Sequence, residues 1–506
     1  MTRPNRPILM LLIALILGWS WDALFYGQAL GISVFLFILL LLAALFSLGR
    51  MQGVRPAWRN LWLLVPLLFF AAMVAVRANA FVTFLNIVAC LAFLGLIAHF
   101  YAAGRIARLG LLGYPLVLLQ VTANLLVRPA PLVAASVDLP TIQAHSRRNV
   151  LPVVRGLLLA LPILLVFTCL LASADLVFAH YLEDVLQLKF LADMLEWLWR
   201  GAIILVVAWL LAGGLVYALS RTPAADETSL AARAGRLTWP FGLGFIEVTI
   251  LLVLVDLLFL VFVGIQFAYL FGGQANITVE GYTYAEYARR GFFELVAVSV
   301  LTLGLILTLY WLARRETAWQ RVAFKGLSSL MVALGLVILA SAFQRLLLYE
   351  IAYGYTELRL YSHVFMVWLA ATFVWFVVTL WLQPERFALG LLLAGLGFVV
   401  TLNVINPDDF IARQNLASLD TFIAEENSSS YRTGGKLDVE YLTTLSDDAV
   451  PVLAAALDQL NRDERLTLSD HLHSRRERLA KTIAAQGWPS FHLAEQRAYT
   501  ALAGIK

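Results

Sequence analysis

Apolar stretches of about twenty residues recur along the first 405 residues of this chain, and an α-helix of about that length crosses the hydrocarbon core of a bilayer. Helices suit this role because they satisfy their own backbone hydrogen bonds. Of the 506 residues, 61% are hydrophobic and 14% are charged, against about 45–50% and about 25% in soluble proteins. The sequence therefore predicts an all-α protein built around a polytopic transmembrane helix bundle.

Eleven of these stretches define a predicted transmembrane domain over residues 1–405, and a small soluble helical domain follows over residues 406–506. The predicted spans lie near residues 7–25, 30–48, 60–77, 80–101, 153–180, 197–220, 243–270, 291–313, 326–349, 360–382 and 387–405. A further apolar stretch, 109–127, has two glycines and a proline in its first half. Because these residues weaken a helix, we predict an interfacial or re-entrant segment there. A spanning helix at 109–127 would raise the number to twelve.

The charges of the loops decide whether the chain has eleven or twelve membrane spans. Four loops are rich in Lys and Arg, namely 49–59, 102–108, 221–239 and 314–325. They lie on one side of the membrane only if 109–127 does not span. Because basic loops favour the cytoplasm, we expect a multi-pass protein of the cell membrane, with a cytoplasmic N-terminus and an external C-terminal domain.

The charge distribution argues against a nucleic-acid partner. Residues 406–506 carry 11 Lys and Arg against 15 Asp and Glu, whereas residues 1–405 carry 26 against 18. The positive excess thus lies in the membrane part, where it directs topology. No stripe of basic and aromatic residues suited to single-stranded nucleic acid accompanies it.

The start of the soluble domain contains two adjacent carboxylates. We expect Asn406 to cap a helix, Pro407 to occupy its first position, and Asp408 and Asp409 to favour its positive end. The alternative is a metal-binding pair of a glycosyltransferase. The predicted helices of this domain cover residues 408–424, 437–445, 449–461 and 465–486.

Motifs typical of known catalysis are absent from the sequence. It contains no nucleotide-binding glycine loop, no Gly-x-Ser-x-Gly elbow, no His-Glu-x-x-His helix and no paired Cys-x-x-Cys. Cys90 and Cys169 both fall in apolar spans, and His471 and His473 have no further ligand nearby. We therefore predict no catalytic residue, no cofactor and no metal site, and the sequence favours a protein that is not an enzyme.

Polar residues inside the spans are expensive and often functional. Asp256 lies about 13 residues into its span, roughly 19 Å at about 1.5 Å per residue, near the middle of the bilayer. Glu247 precedes it by nine residues, which places the two carboxylates on opposite helix faces, and Arg155 is a plausible partner for Glu247. With Gln266 these two residues form the candidate intramembrane site. Asp256 is either a proton or ion site or a hydrogen-bonded acid of the bundle.

A second set of polar residues gathers at the predicted outer ends of the spans. It comprises Asp22, Arg77, Asp175, Arg289, Arg290, Glu294, Arg345, Arg359 and His363. One interpretation is snorkelling and local salt bridges that fix helix ends. The other is an outward-open pocket for an anionic head group, in which the arginines share a region with Asp22 or Asp175.

Five segments carry a family resemblance. They are residues 155–175, which begin RGL and end LASAD, 266–273 (QFAYLFGG), 283–295 (TYAEYARRGFFEL), 406–408 (NPD) and 437–442 (LDVEYL). Together they resemble a family of bacterial multi-pass membrane proteins known only as a domain of unknown function. The resemblance implies a protein of the bacterial cytoplasmic membrane with an appended helical domain, and it implies no activity.

Three classes of function fit these features. We expect a carrier or a protein that handles a lipid or small solute, since most of the chain lies in the membrane. The alternative is a non-catalytic scaffold or signalling protein whose C-terminal domain binds a protein partner. A membrane enzyme acting on lipid or glycan fits less well because the catalytic motifs are missing. The expected partners are the bilayer and a small solute, ion or lipid.

Overall fold

The computed structural model describes residues 7–136, 189–220, 243–271, 291–426 and 437–505, together with Phe167. These regions consist of helices and their connections, apart from an isolated bridge between Leu243 and Ala313. The prediction of an all-α fold is therefore confirmed. The predicted span 153–180 and the basic loop 221–239 lie outside the described residues.

Seventeen α-helices make up the described part of the chain. They are α1 Pro7–Phe25, α2 Ile32–Met51, α3 Leu64–Met73, α4 Ala80–Phe100, α5 Gly113–Val127, α6 Pro129–Ser136, α7 Lys189–Leu219, α8 Phe245–Phe271, α9 Phe292–Leu312, α10 Ala318–Tyr353, α11 Glu357–Leu382, α12 Phe387–Ile405, α13 Pro407–Glu426, α14 Val439–Thr444, α15 Val450–Ala456, α16 Arg462–Ala485 and α17 Leu493–Leu502. Short 3₁₀ turns at Trp58–Leu63, Ile106–Arg108 and Pro384–Arg386 connect several of them.

Ten helices within the described residues are long and apolar enough to cross a membrane. They confirm a polytopic bundle, although several boundaries differ from prediction. The predicted span 60–77 is a shorter apolar helix over Trp58–Met73. The predicted span 326–349 is α10, which has 36 residues because a Thr317 capping box starts it early and Gly354, at φ 75°, ends it late. The C-terminal region, predicted to be a soluble domain and called the soluble domain below, has the four predicted helices as α13 to α16, and α17 is an addition.

The bundle has two apolar cores. One is formed by α1 to α5 and α7, around Leu63, Phe70 and Phe93. The other is formed by α8 to α11, around Met331 and Phe373. Helix α12 packs between α4 and α11 and joins the two cores.

The soluble domain packs on one end of the bundle, which we call the tail end. The backbone N–H of Ile32 donates to the carbonyl of Phe491 at 3.0 Å, and the N–H of Leu493 donates to the carbonyl of Ala75 at 2.7 Å. Asn415 exchanges two hydrogen bonds with the backbone of Tyr355. The connections α1–α2, α3–α4 and α10–α11 therefore all lie beneath the soluble domain.

The opposite end, which we call the basic end, carries the described basic loops. The Ala57 N–H donates to the carbonyl of Tyr101 at 2.6 Å, which joins loops 49–59 and 102–108. Lys325 lies 5.4 Å from the ring of Trp381, at the end of α11. The Pro384–Arg386 turn that follows contacts the Ile106–Arg108 turn. Three of the four predicted basic loops thus share one end, away from the soluble domain.

Both ends of α5 also lie at the basic end. At its start, the hydroxyl of Tyr114 donates to the carbonyl of Ile106 at 3.2 Å. At its end, the guanidinium of Arg128 lies 5.0 Å from the ring of Tyr217, whose hydroxyl is 2.8 Å from His99 at the end of α4. The stretch Gly113–Val133 is one of the ten helices that are long and apolar enough to cross a membrane. From the contacts at its two ends we nevertheless propose that 109–127 is interfacial or re-entrant.

Cysteine accessibility tests the orientation that follows from this arrangement. In a variant lacking Cys90 and Cys169, we expect a membrane-impermeant maleimide to label Gln459→Cys on the soluble domain in intact cells. Gln383→Cys at the basic end is the matched control, and both glutamines are exposed. Gln383→Cys should react only after the membrane is permeabilised, because basic loops are retained in the cytoplasm. The reverse pattern would overturn the orientation.

Candidate functional site

One face of α8 carries Asp256 and Gln266, two of the three residues of the candidate intramembrane site. Val248, Leu252, Phe259 and Val263 are buried at helical spacing and pack into the second core. Asp256 lies on the same buried face, with 4% of its surface exposed. A carboxyl group is thus directed into the bundle rather than towards lipid.

The register between α8 and α10 fixes the depth of Asp256. Phe245 contacts Trp319 with ring centroids 5.8 Å apart, and the Ser341 hydroxyl donates to Gln266 Oε1 at 3.1 Å. The two helices therefore run parallel with nearly constant register. Asp256 is level with Met331, about halfway between these two contacts.

Further polar side chains occupy successive levels of the same core. Thr302 of α9 faces Gly335 of α10, and Ser299 lies one turn nearer the tail end. The buried polar side chains of this core include Ser328, Asp256, Thr302, Ser299, Gln266 and Ser341, at successive levels along α10, and we call this set the polar row. From Ser328 to Ser341 the row rises roughly 20 Å at about 1.5 Å per residue.

Asp256 differs from most other members of the polar row in its hydrogen bonding. Ser299 and Thr302 donate to the carbonyls of Leu295 and Val298, at 2.9 and 2.7 Å. Both carboxyl oxygens of Asp256, in contrast, have no hydrogen-bond partner within the described part of the chain. An unsatisfied buried polar group costs about 1–3 kcal/mol. Within the part of the chain that the structure describes, the middle of the bundle therefore contains a carboxyl group without a hydrogen-bond partner.

Glu247 does not join Asp256. It is exposed, and its Oε2 accepts a hydrogen bond from the backbone N–H of Gly244 at 2.9 Å, which caps the start of α8. Its expected partner Arg155 lies outside the described residues. Gln266 is on the buried face with Asp256, ten residues nearer the tail end.

The described members of the predicted outer cluster all lie near the tail end but are held in separate contacts. Asp22 binds Arg200 of α7 at 2.5 Å, and Arg200 also covers the ring of Tyr26. Arg77 donates to the carbonyl of Asn403 at 2.8 Å. Asp22 is thus paired with an arginine that the sequence analysis did not select, because the contact joins α1 to a distant helix.

The remaining members of that cluster surround the α10–α11 connection. Arg359 donates to the carbonyls of Tyr353 and Gly354, and His363 Nδ1 is 3.1 Å from Glu350 Oε1. Arg345 lies beside Gly291, and Glu294 is exposed in the first turn of α9. Asp175, Arg289 and Arg290 lie outside the described residues.

The predicted cap at Asn406 is wrong. Asn406 has a positive φ of 57° and ends α12, and its side-chain oxygen accepts no hydrogen bond among the described residues. Its left-handed conformation turns the chain so that the first turn of α13 faces the bundle. Asp408 is consequently fully buried and accepts hydrogen bonds from Asn79 and from the Ser446 N–H, whereas Asp409 pairs with Arg413 at the surface.

Asn79 is the centre of the contact between the bundle and the soluble domain. Its Oδ1 caps α4 by accepting from the Val82 N–H at 3.0 Å, and it also accepts from the Tyr361 hydroxyl at 3.1 Å. Its Nδ2 donates to Glu357 at 2.7 Å and to Asp408 at 3.0 Å. One amide thus joins α4, α11 and α13.

The described residues contain no group of three side chains arranged to hold a metal ion.

Asp448 provides a second contact of the same kind. Its Oδ2 accepts from the Ala78 N–H at 2.7 Å, and Arg77 lies 3.7 Å away. Burial raises the pKa of the Asp448 carboxyl to about 6, while the Ala78 N–H and Arg77 oppose this shift in pKa. We therefore expect the contact between Asp448 and the bundle to depend on pH.

Sequence reasoning missed several of these residues although a signal was present. Asn86 and Asn403 exchange hydrogen bonds of 3.0 and 2.7 Å between their side chains, fully buried between α4 and α12. Each is an amide inside an otherwise apolar run, and amides in spans often bond across helices. The roles of Asn79 and Asp448 had no comparable local signal, because their partners are far away in sequence.

Replacing Asn79 tests the docking contact. Asn79→Ala should lower the stability of the purified protein by about 2–4 kcal/mol, because a helix cap and donors to two buried carboxyls are lost together. Asp409→Ala is the matched control, and it should cost at most about 1 kcal/mol since its ion pair is at the surface. Thermal unfolding in detergent compares the two. Equal melting temperatures would contradict this role of Asn79.

Asp448 predicts a specific pH dependence. Its pKa in the folded state, about 6, exceeds the unfolded value of about 3.9. Its contribution to stability is therefore fully present below about pH 4 and is lost as the pH rises through about 6. On acidification from pH 7.5 to 5, the wild type should gain on the order of 1–2 kcal/mol relative to Asp448→Asn. If the stability difference between the wild type and Asp448→Asn is the same at pH 7.5 and at pH 5, this prediction is wrong.

We find no curated protein and no solved structure that matches this chain. One family model matches residues 64–456, and this range contains the bundle from α3 onwards, the polar row and both docking contacts. The chain therefore belongs to the family described as Domain of unknown function (DUF4153).

Proposed function

We propose that this protein is a membrane carrier in which Asp256 binds and releases a proton or a small cation. The observation that supports this proposal most strongly is the state of the Asp256 carboxyl group, which is buried and has no hydrogen-bond partner among the described residues. A carboxyl group retained only for stability would be expected to have a partner, because an unpaired one costs free energy in the folded bundle.

The polar row supports the same proposal by its direction. Its members lie at successive levels of the core between Asp256 and the tail end, where the Ser341 hydroxyl donates to Gln266. Beyond Ser341, α10 carries Glu350, whose Oε1 contacts His363 near the tail end. Hydroxyl, amide and carboxyl groups in sequence are the kind of groups that pass protons through membrane proteins.

The soluble domain favours a carrier over a scaffold. Its buried side chains, including Ile411, Leu442, Leu453 and Leu472, pack with each other and with Leu360 of the bundle. Buried carboxyl groups then bind this domain to the α3–α4 and α10–α11 connections. A scaffold needs no buried, unpaired carboxyl group in its membrane part.

The first test asks whether Asp256 exchanges protons with the surrounding water. We expect infrared difference spectra of the full-length protein in liposomes, taken between acidic and alkaline buffer, to contain a carboxyl band that Asp256→Asn removes. Glu247→Gln is the matched control on the same helix, and it should leave this band in place. If Asp256→Asn leaves every carboxyl band unchanged, Asp256 does not titrate and the proposal fails.

The second test measures charge movement. A pH jump across proteoliposomes should displace charge in the wild type and in Glu247→Gln, but not in Asp256→Asn. Asp256→Glu keeps an ionisable group and should retain part of the signal. Asp256 would have a structural role in either of two cases. In the first, the wild type and Asp256→Asn give equal charge displacement. In the second, Asp256→Asn does not fold and Asp256→Glu folds but displaces no charge.

A further inference from the structure

A cavity of about 380 Å³ opens at the basic end, away from the polar row. Its walls come from the Trp58–Leu63 turn, the Ile106–Arg108 turn and the start of α12. This volume falls in the range of about 300–1,000 Å³ that is usual for small-molecule sites. The cavity lies at the first core and α12, so it is separate from the candidate carrier site.

Two guanidinium groups line this cavity, and none of its lining residues within the described part of the chain carries a carboxylate. Arg59 comes from one turn and Arg105 from the other, and both residues are exposed. Arginine binds phosphate oxygens through paired N–H donors. The chemistry of this wall therefore selects an anion, and phosphate in particular.

The chain segments that carry the two arginines are joined by a buried amide. Asn60 Nδ2 donates to the carbonyl of Phe100 at 3.0 Å and to that of Gly104 at 3.2 Å. Asn60 is next to Arg59 in the chain, and Gly104 is next to Arg105. Because this amide joins the two segments, the backbone positions of Arg59 and Arg105 are fixed relative to each other before any ligand binds, which lowers the entropic cost of binding.

The opposite wall of the cavity is apolar. Leu389 and Leu393 are one turn apart on α12, and Trp62 completes this side. Leu393 is 45% exposed, on the outer surface of the bundle. Trp58, which is 84% exposed on the adjoining turn, is the residue type that concentrates where the hydrocarbon core meets the head groups.

We propose that this cavity binds the phosphate head group of an anionic phospholipid, with an acyl chain along Leu389 and Leu393. Basic pockets beside transmembrane helices recognise lipids of this kind. A free phosphate ion would use the arginines but not the apolar wall. A zwitterionic lipid would fit the apolar wall, but its positive amine would lie next to two guanidinium groups.

Lipid titration tests this proposal. The full-length protein in neutral detergent is titrated with phosphatidylglycerol, with phosphatidylcholine and with inorganic phosphate, and retained lipid is counted by native mass spectrometry. We expect phosphatidylglycerol to bind at least about tenfold more tightly than either alternative, a difference of about 1.4 kcal/mol. Equal binding of phosphatidylcholine would refute recognition of the anion, and equal binding of inorganic phosphate would identify a free anion as the ligand.

Charge-matched variants locate the site. The double variant Arg59→Gln and Arg105→Gln should weaken phosphatidylglycerol binding by at least about tenfold. The control is Arg314→Gln with Arg321→Gln, which removes two exposed arginines from the same end but outside the cavity. Equal weakening by both pairs would mean that surface charge alone attracts the lipid, and the proposed site would be wrong.

Two further variants test whether weaker binding comes from a lost contact with the lipid or from a folding defect. Arg59→Lys with Arg105→Lys keeps the charge but loses the paired donors, so binding should fall between the wild type and the glutamine variant. Leu393→Asn changes an exposed residue of the apolar wall. It should weaken binding of phosphatidylglycerol and leave binding of inorganic phosphate unchanged. Wild-type affinity for phosphatidylglycerol in both variants would overturn the proposal.

Discussion

The absence of water from the hydrocarbon core governs this structure, because every polar group there must find its partner within the protein. The helices satisfy their own backbones, and most intramembrane side chains in the described regions follow the same rule. Ser299, Thr302 and Thr372 donate to carbonyls of their own helices, four residues earlier. Asn86 and Asn403 satisfy each other across two helices. Asp256 does not follow this rule, because neither of its carboxyl oxygens has a hydrogen-bond partner among the described residues, and its burial needs another explanation.

The attachment of the soluble domain follows the same principle at the end of the bundle. Helix ends leave backbone groups without partners, and the connections beneath the domain are where these ends meet. Asn79 caps α4 with its oxygen and uses its nitrogen to bind Glu357 and Asp408. Asp448 accepts from the N–H of Ala78. The side chains that complete the helix ends are therefore also those that hold the domain, so the bundle and the domain form one structural unit.

The sequence predicted the parts of the fold that depend on local patterns. Span positions follow from apolar length, and the helices α13 to α16 follow from amphipathic periodicity, so both were close to the structure. The spacing of Asp256 and Glu247 predicted that they lie on opposite faces of one helix, and the structure has Asp256 buried and Glu247 exposed. The pairing of Asp22 with Arg200 could not be predicted, because 178 positions separate them and several arginines lie at a similar depth. The inward turn of Asp408 depends on the left-handed conformation of Asn406, which an asparagine before proline does not signal.

The chemistry of the side chains explains why Asp256 stands apart within the polar row. A serine or threonine hydroxyl can donate to the carbonyl one turn earlier, so a helix satisfies it without help from any neighbour. An ionised carboxylate only accepts hydrogen bonds, and the N–H groups inside a helix are already used by its own carbonyls. The helix that satisfies Thr302 therefore cannot satisfy Asp256 while its carboxyl group is ionised. A donor or a positive charge must come from outside α8. The described neighbours supply no hydrogen bond to this group, and this is why the proposed proton or cation site is placed at Asp256.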